Sequence, residues 1–456
     1  MFKRFSLIAL AILLFSSSLS AADSLAVKAA GKGFPFSIKA YPFRGMYLDA
    51  QSTHWQKFGA LYPAGMHMGV EFPSTQQRPW QQYLCNPTVG MGVSWLDFGH
   101  DMLGHGVAIY PYILLDAIDT KHFEMRFKIG GGVGIVTEHW YTQEDQNPDH
   151  YYEPTVNTIF GSYLNAYLNA GFNLNFPITR YLAIGGELGF FHMSNGRTCM
   201  PNIGVNALYG SVGLTATFNA EKGEKKEKIK FPSQPYGWAL NVTGCVGAQK
   251  PAIEDAGRFL ISSLHVGAVY HINNWYGVGA GVDVFYNDAV SKYTNRSLYC
   301  SGQFDGVDCL TCGSEKDKDY TFGQKIRAGL SLNNEFKFGI VTAILDWGVY
   351  FYNPARQIYN DYHSDYHKLG QAAPKRKLFY TTPHGAGCEE AFHYIRLGAK
   401  CRVWDNIYLK LAMKCHLQIA EYIEAGIGYQ IPFLKKGNRK AGESIIYHHH
   451  KEWWKD

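Results

Sequence analysis

The chain has 456 residues, with 43 Lys and Arg against 38 Asp and Glu, a formal net charge of +5. So mild a balance excludes a nucleic-acid partner, which calls for a strongly basic face. Past the first residues there is no apolar run of the roughly 18 residues a membrane-spanning helix needs, so a helical bundle in lipid is excluded too.

Lys3 and Arg4 precede an apolar run from Phe5 to Phe15 and then "SSSLSAA", where Ser20 and Ala22 supply the small residues of a cleavage site. This is the pattern of a secretory signal over residues 1–22, too short and wrongly flanked for a membrane helix. Its removal lowers the formal charge to +3. A β-barrel is the other structure that satisfies all its backbone polar groups in lipid. The 48 Gly, 31 Tyr, 28 Phe and 10 Trp suit strands that alternate lipid-facing and lumen-facing residues between aromatic girdles. The expected location is therefore a bacterial outer membrane.

Alternating or β-rich segments bounded by turn signals predict eight strands near 36–48, 62–72, 86–98, 106–115, 123–139, 159–176, 180–194 and 205–219. Eight more are predicted near 236–247, 258–271, 275–288, 322–335, 338–351, 392–403, 406–417 and 419–433. With the first strand running outward, "FPIT" and "INNW" become short inner turns, and 140–158, 289–321 and 352–391 become outer loops. Short turns inside and long loops outside are the rule for such barrels. Residues 73–85, "PSTQQRPWQQYLC", depart from it as a long inner connection.

The charged segment 220–235, "AEKGEKKEKIKFPSQP", separates two halves, 23–219 and 236–433, and a polar tail follows over 434–456. Each half ends on an aromatic residue, Phe218 in "GLTATF" and Phe433 in "GYQIPF". The layout reads as an internal duplication. The expected fold is all-β, an antiparallel transmembrane β-barrel, either two eight-stranded barrels in tandem or one barrel of about 14 to 16 strands.

One strand raises a chemical question. Counting by twos through "RYLAIGGELGFFHMSNG" gives Leu182, Ile184, Gly186, Leu188, Phe190, then His192 and Ser194. Alternation puts this histidine and serine on the lipid-facing side. On the next strand Asn206 shares parity with Leu208, Gly210, Val212 and Leu214, so it joins the same face. Polar groups on a lipid face cost energy. Nucleophilic catalysis accounts for them, with His192 taking the Ser194 proton and Asn206 holding the imidazole tautomer. The backbone N–H groups of Asn195 and Gly196 and the Asn195 amide are the nearest oxyanion donors. The plainer reading is that a His and a Ser simply sit among lipid headgroups. Glu187 has the opposite parity and points into the lumen.

"HMSNG" followed by "PNIGVN", after a glycine-rich strand, resembles the signature of the lipid A 3-O-deacylase and acyloxyacyl hydrolase-like family of outer-membrane barrels. The stretch from "PWQQYLCNPTVGMGVSW" through "SYLNAYLNAGFNLNFPITRYLAIGGELGFFHMSNG" is similar to its longer members. The similarity covers about residues 60–219, and the second half only by general pattern. The resemblance implies an active site on the outer barrel wall that removes an ester-linked acyl chain from lipid A, or lipopolysaccharide, in the outer leaflet. It assigns the base to His192, the nucleophile to Ser194 and an oxyanion asparagine to Asn195. One position departs: short family members carry a glutamate where this chain has Asn206.

The expected function is thus an outer-membrane serine esterase acting on lipid A, without metal or organic cofactor. The alternative is a catalytically weak or inactive barrel serving as transporter, structural protein or binding surface. His416 and Gln418 hold the corresponding place in the second half, but Gln is no acyl nucleophile, so that half reads as scaffold. Glu421 and Glu424 read as structural, either lumen residues or headgroup ligands. Of nine cysteines, Cys300, Cys309, Cys312 and Cys388 fall in predicted outer loops, where disulfides outrank metal binding.

Overall fold

The structure is a computed structural model that describes residues 34–48, 53–74, 81, 84, 87–142, 155–219, 237–250, 257–272, 275–289, 321–354, 392–416 and 419–433. The leader, the 220–235 segment, the tail, Gln418, Cys300, Cys309, Cys312, Cys388 and nearly all of the two long predicted outer loops lie outside the described residues.

Sixteen strands form two closed barrels. The first comprises β1 (Phe36–Tyr47), β2 (Ala64–Phe72), β3 (Thr88–Asp97), β4 (His105–Asp119), β5 (Glu124–Val136), β6 (Leu164–Pro177), β7 (Leu182–Ser194) and β8 (Val205–Phe218). The second comprises β9 (Trp238–Gln249), β10 (Phe259–His271), β11 (Tyr276–Asn287), β12 (Ile326–Phe338), β13 (Val341–Tyr352), β14 (His393–Trp404), β15 (Ile407–His416) and β16 (Ile419–Phe433). Neighbouring strands are antiparallel, and β1 pairs with β8 and β9 with β16, so neither sheet has a free edge. Of the two arrangements the sequence allowed, the chain adopts two barrels of eight strands. Among the described residues no helix is long and apolar enough to cross a membrane.

The alternation read from sequence is the wall itself. In β7 Leu182, Ile184 and Leu188 are exposed, while Glu187, Phe191 and Met193 are buried inside. An eight-stranded barrel is only wide enough for side chains to fill, and the first barrel fills its lumen with ion pairs and rings. Glu187 accepts from Lys39 at 2.7 Å, Lys128 at 2.9 Å and the Tyr209 hydroxyl at 3.0 Å. Lys39 also meets Glu71 at 2.7 Å, and Glu71 accepts from the Tyr112 hydroxyl. Buried charges persist only when paired and hydrogen-bonded. Tyr112 and Tyr110 lie across the barrel over glycines: a Cβ on Gly90 would come within 2.4 Å of the Tyr112 ring, and one on Gly92 within 2.7 Å of the Tyr110 ring.

Beyond the strands, at the end where β7 stops, Trp55, Phe58, Phe98, Leu103, Ile159 and Phe160 close the barrel with a buried apolar layer. Trp55 comes from α1 (Thr53–Gln56), a single turn between β1 and β2. At the opposite end the connections 120–123 and 178–181 are short, whereas 73–87 between β2 and β3 is the long one, as its sequence indicated.

The second barrel repeats the plan with other residues. Asp283 accepts from Arg396, from His265 at 2.8 Å and from the Tyr394 hydroxyl at 2.6 Å. Glu424 accepts from Lys410 at 3.1 Å and the Ser263 hydroxyl at 2.6 Å, and Glu335 from Lys400 at 2.6 Å. Glu421 pairs with Arg327, Lys414 and His416. Glu421 and Glu424 are therefore lumen residues, one of the two structural places the sequence left open.

Replacing Glu187 with Gln leaves Lys39 and Lys128 buried without their shared carboxylate, a change that costs about 3 kcal/mol. The variant's folded, heat-modifiable band on a denaturing gel is expected to give way at lower temperature than that of the wild type. An unchanged transition would show that the lumen does not depend on this charge.

Candidate active site

Registry between β7 and β8 puts His192 directly opposite Asn206. His192 Nδ1 lies 2.8 Å from Asn206 Oδ1, and His192 Nε2 lies 2.8 Å from Ser194 Oγ. A neutral imidazole has one donor and one acceptor nitrogen. Asn206 Oδ1 only accepts, so Nδ1 carries the proton and Nε2 accepts from the Ser194 hydroxyl. Chain geometry explains the convergence. Side chains two residues apart on one strand share a face, and a cross-strand pair brings the third group to about 5 Å at Cβ. Outward neighbours Leu188 and Leu208 are 59% and 44% exposed, which fixes the wall as the side on which the three residues stand.

His192 and Asn206 are half-buried, whereas Ser194 is only 3% exposed. The parity expected for the serine holds, but its side chain is more enclosed than a strand position facing open lipid. Gly204 is one cause. Its φ of +74° lies in the left-handed region, and a Cβ there would fall 3.0 Å from Ser194 Cβ and 3.7 Å from His192 Cε1. Only a glycine lets the backbone pass this close.

That crossing is fixed from outside the pair. Ile203 N–H donates to Thr158 O at 3.3 Å and Gly204 N–H to Ile159 O at 2.9 Å. The 157–160 turn is in turn held by Asn157, whose Oδ1 accepts from the N–H groups of Ile159 and Phe160 at 3.0 and 3.1 Å. Its Nδ2 donates to Met102 O at 2.9 Å. Sequence reasoning missed Asn157, Asn202 and Gly204. A glycine in "PNIGV" was the one visible signal, and its left-handed conformation is not readable from the letters.

The oxyanion donors stand differently from expectation. Asn195 N–H donates to Asn202 Oδ1 at 3.0 Å, and Asn195 Nδ2 donates to Cys199 O at 2.9 Å. Asn195 thus organises the turn after β7 instead of presenting two open donors. Thr198 Oγ1 also donates to its carbonyl at 3.0 Å. Gly196 has φ +61°, and no acceptor for its N–H is found among the described residues.

Glu187 lies in the lumen and takes no part. His416 has the opposite orientation to His192: it is 2% exposed inside the second barrel, with Nδ1 on His393 O at 2.7 Å and Nε2 on Glu421 at 2.8 Å. The correspondence of His416 with His192 therefore fails in parity, because outward positions of β15 are the odd-numbered Leu409 and Leu411. Cys199, Cys245, Cys401 and Cys415 carry free thiols.

Residues 64–215 match the family described as lipid A 3-O-deacylase, and residues 237–374 match the acyloxyacyl hydrolase C-terminal domain. No curated protein matches the chain. Among solved structures, the outer membrane enzyme PagL is similar at 15% identity and a TM-score of 0.24, over 40% of this chain and 98% of that one. A mutant porin of Rh. blastica is similar at 10% identity and a TM-score of 0.16, over 87% of this chain and 100% of that one. A deletion mutant of the monoaromatic hydrocarbon channel TodX is similar at 8% identity and a TM-score of 0.15, over 88% and 90%. Scores this low say nothing of activity. The two matched families together take in more than half of the residues, and the chain belongs to the lipid A 3-O-deacylase and acyloxyacyl hydrolase-like family of outer-membrane β-barrels.

Proposed function

We propose that the protein is an outer-membrane serine esterase that removes an ester-linked acyl chain from lipid A in the outer leaflet. One observation carries the reading: His192 is hydrogen-bonded at one ring nitrogen to Asn206 and at the other to Ser194, on the barrel's outward wall. Ser194 Oγ attacks the ester carbonyl while His192 Nε2 takes its proton. The tetrahedral oxyanion is met by Gly196 N–H and the second amide hydrogen of Asn195, since the first is engaged by Cys199 O. Collapse breaks the bond to the sugar oxygen, which leaves with the proton from His192. The acyl group now sits on Ser194. Water, deprotonated by His192, then releases the fatty acid and restores the serine. The scheme uses no metal or organic cofactor.

Asn206 fixes the tautomer, as an asparagine does in some cysteine-protease triads, but brings no negative charge to the imidazolium. Turnover is accordingly lower than a carboxylate at this position would give. Transport through the first barrel is the less favoured reading, because tyrosines and ion pairs fill its lumen.

Ser194→Ala is expected to abolish fatty-acid release from lipopolysaccharide, measured by mass spectrometry of the lipid A product; release at the wild-type rate would remove the nucleophile from the scheme. Asn206→Ala should lower kcat by roughly 10² or more through loss of tautomer control, whereas Asn206→Glu should raise it above wild type. A kcat for Asn206→Ala equal to that of the wild type would deny Asn206 its orienting role. Gly204→Ala forces a Cβ against Ser194 at a left-handed φ, and kcat is expected to fall at least tenfold with the barrel still folded. Undiminished turnover would mean that the crossing does not set the serine's position.

A further inference from the structure

Outward positions on β1 alternate through Ile38, Ala40, Pro42, Arg44 and Met46, and Ile38 and Met46 are 44% and 56% exposed. Arg44 is exposed as well. Among the described strand residues of the first barrel it is the one Lys or Arg on the outward face. The other strand cations turn inward and are ion-paired: Lys39 with Glu71 and Glu187, Lys128 with Glu187, Arg126 with Asp116 and Glu124. Arg44 has no carboxylate partner among the described residues. Its guanidinium instead lies 5.6 Å from the centre of the Tyr62 ring, itself 51% exposed.

An arginine on a lipid-facing wall is disfavoured, by an amount that falls toward the interface, and a long side chain escapes by extending to the headgroups. Tyr62 shows the direction taken, since it precedes β2 at the end of the barrel where β7 stops. Arg44 pairs there with Ala64, the first residue of β2. A cation–π contact of this kind uses none of the guanidinium's N–H donors in a hydrogen bond, and their fork matches phosphate bidentately.

Position relates the pair to the serine. Arg44 pairs with Gly210 on β8, and Gly210 with Leu188 on β7. Leu48 N–H donates to Asn206 O at 2.9 Å, one strand from His192. Arg44 thus lies two strand spacings, roughly 10 Å, from β7 and four residues, about 13 Å, along it from His192. Its side chain shortens the second distance. An ester and a phosphate on one phosphorylated disaccharide are separated by a span of this order.

We propose that Arg44, backed by Tyr62, is a phosphate-binding site for the glycolipid whose ester Ser194 attacks. The site rests on the esterase reading for its purpose but is tested without it. The full chain carrying Ser194→Ala, in phosphatidylcholine nanodiscs, is titrated with bis-phosphorylated lipid A and with the same lipid after enzymatic removal of its phosphates, bound lipid being counted by native mass spectrometry.

The phosphorylated lipid should bind about tenfold more tightly. Adding Arg44→Ala should erase that preference, and Arg44→Lys should keep part of it. A preference unchanged by Arg44→Ala, or none to begin with, overturns the site. Full competition by inorganic phosphate at equal concentration also overturns it, since that marks a site for any free anion. Arg44 is exposed, so the variant's heat-modifiable band should match the parent's. A phosphate preference that depends on Arg44, in a protein whose wild type releases no fatty acid, would sink the esterase reading and leave the site standing.

Discussion

Alternation of strand side chains between two faces governs this molecule. In a closed eight-stranded barrel one face meets lipid and the other a lumen too narrow for bulk water, so a polar side chain on either face must find partners or a purpose. Inward groups find partners: Glu187 gathers Lys39, Lys128 and Tyr209, and Asp283 gathers Arg396, His265 and Tyr394. Outward, the exceptions in the first barrel are few, and His192, Ser194 and Asn206 bond to one another. Their arrangement follows from two local facts, an i, i+2 spacing on β7 and a cross-strand pair with β8.

The fold was largely legible because period-two patterns and turn signals are local. Every predicted strand is present, most with ends within a few residues; the largest departures, at the end of β4 and the starts of β6 and β12, lie where a bulge near Asp116, the 155–163 connection and a 3-10 turn over Phe322–Lys325 break the simple alternation. The choice between two barrels and one larger barrel was not legible, since it depends on whether β8 returns to β1. That is a long-range pairing with no local signature.

The site was legible where parity decides and illegible where loops do. His192, Ser194 and Asn206 could be placed on one face by counting. The roles of Asn157, Asn202 and Gly204 depend on hydrogen bonds between segments distant in sequence and on one left-handed residue. The same limit misplaced His416, whose neighbouring pattern resembles that of His192 but whose strand presents the other face. It also left the backbone N–H and the whole amide of Asn195 looking open, when the N–H and one amide hydrogen tie up the turn after β7.

The central claim is that Ser194 is a nucleophile activated by His192 on the outward wall. A lipid-soluble alkyl fluorophosphonate offered to the full chain in vesicles tests this most directly, because it reacts with a serine made nucleophilic by a neighbouring base. Peptide mass spectrometry should find the phosphonyl group on Ser194 in the wild type and should find none in His192→Ala. Equal labelling of both proteins, or modification confined to other serines, would contradict the account.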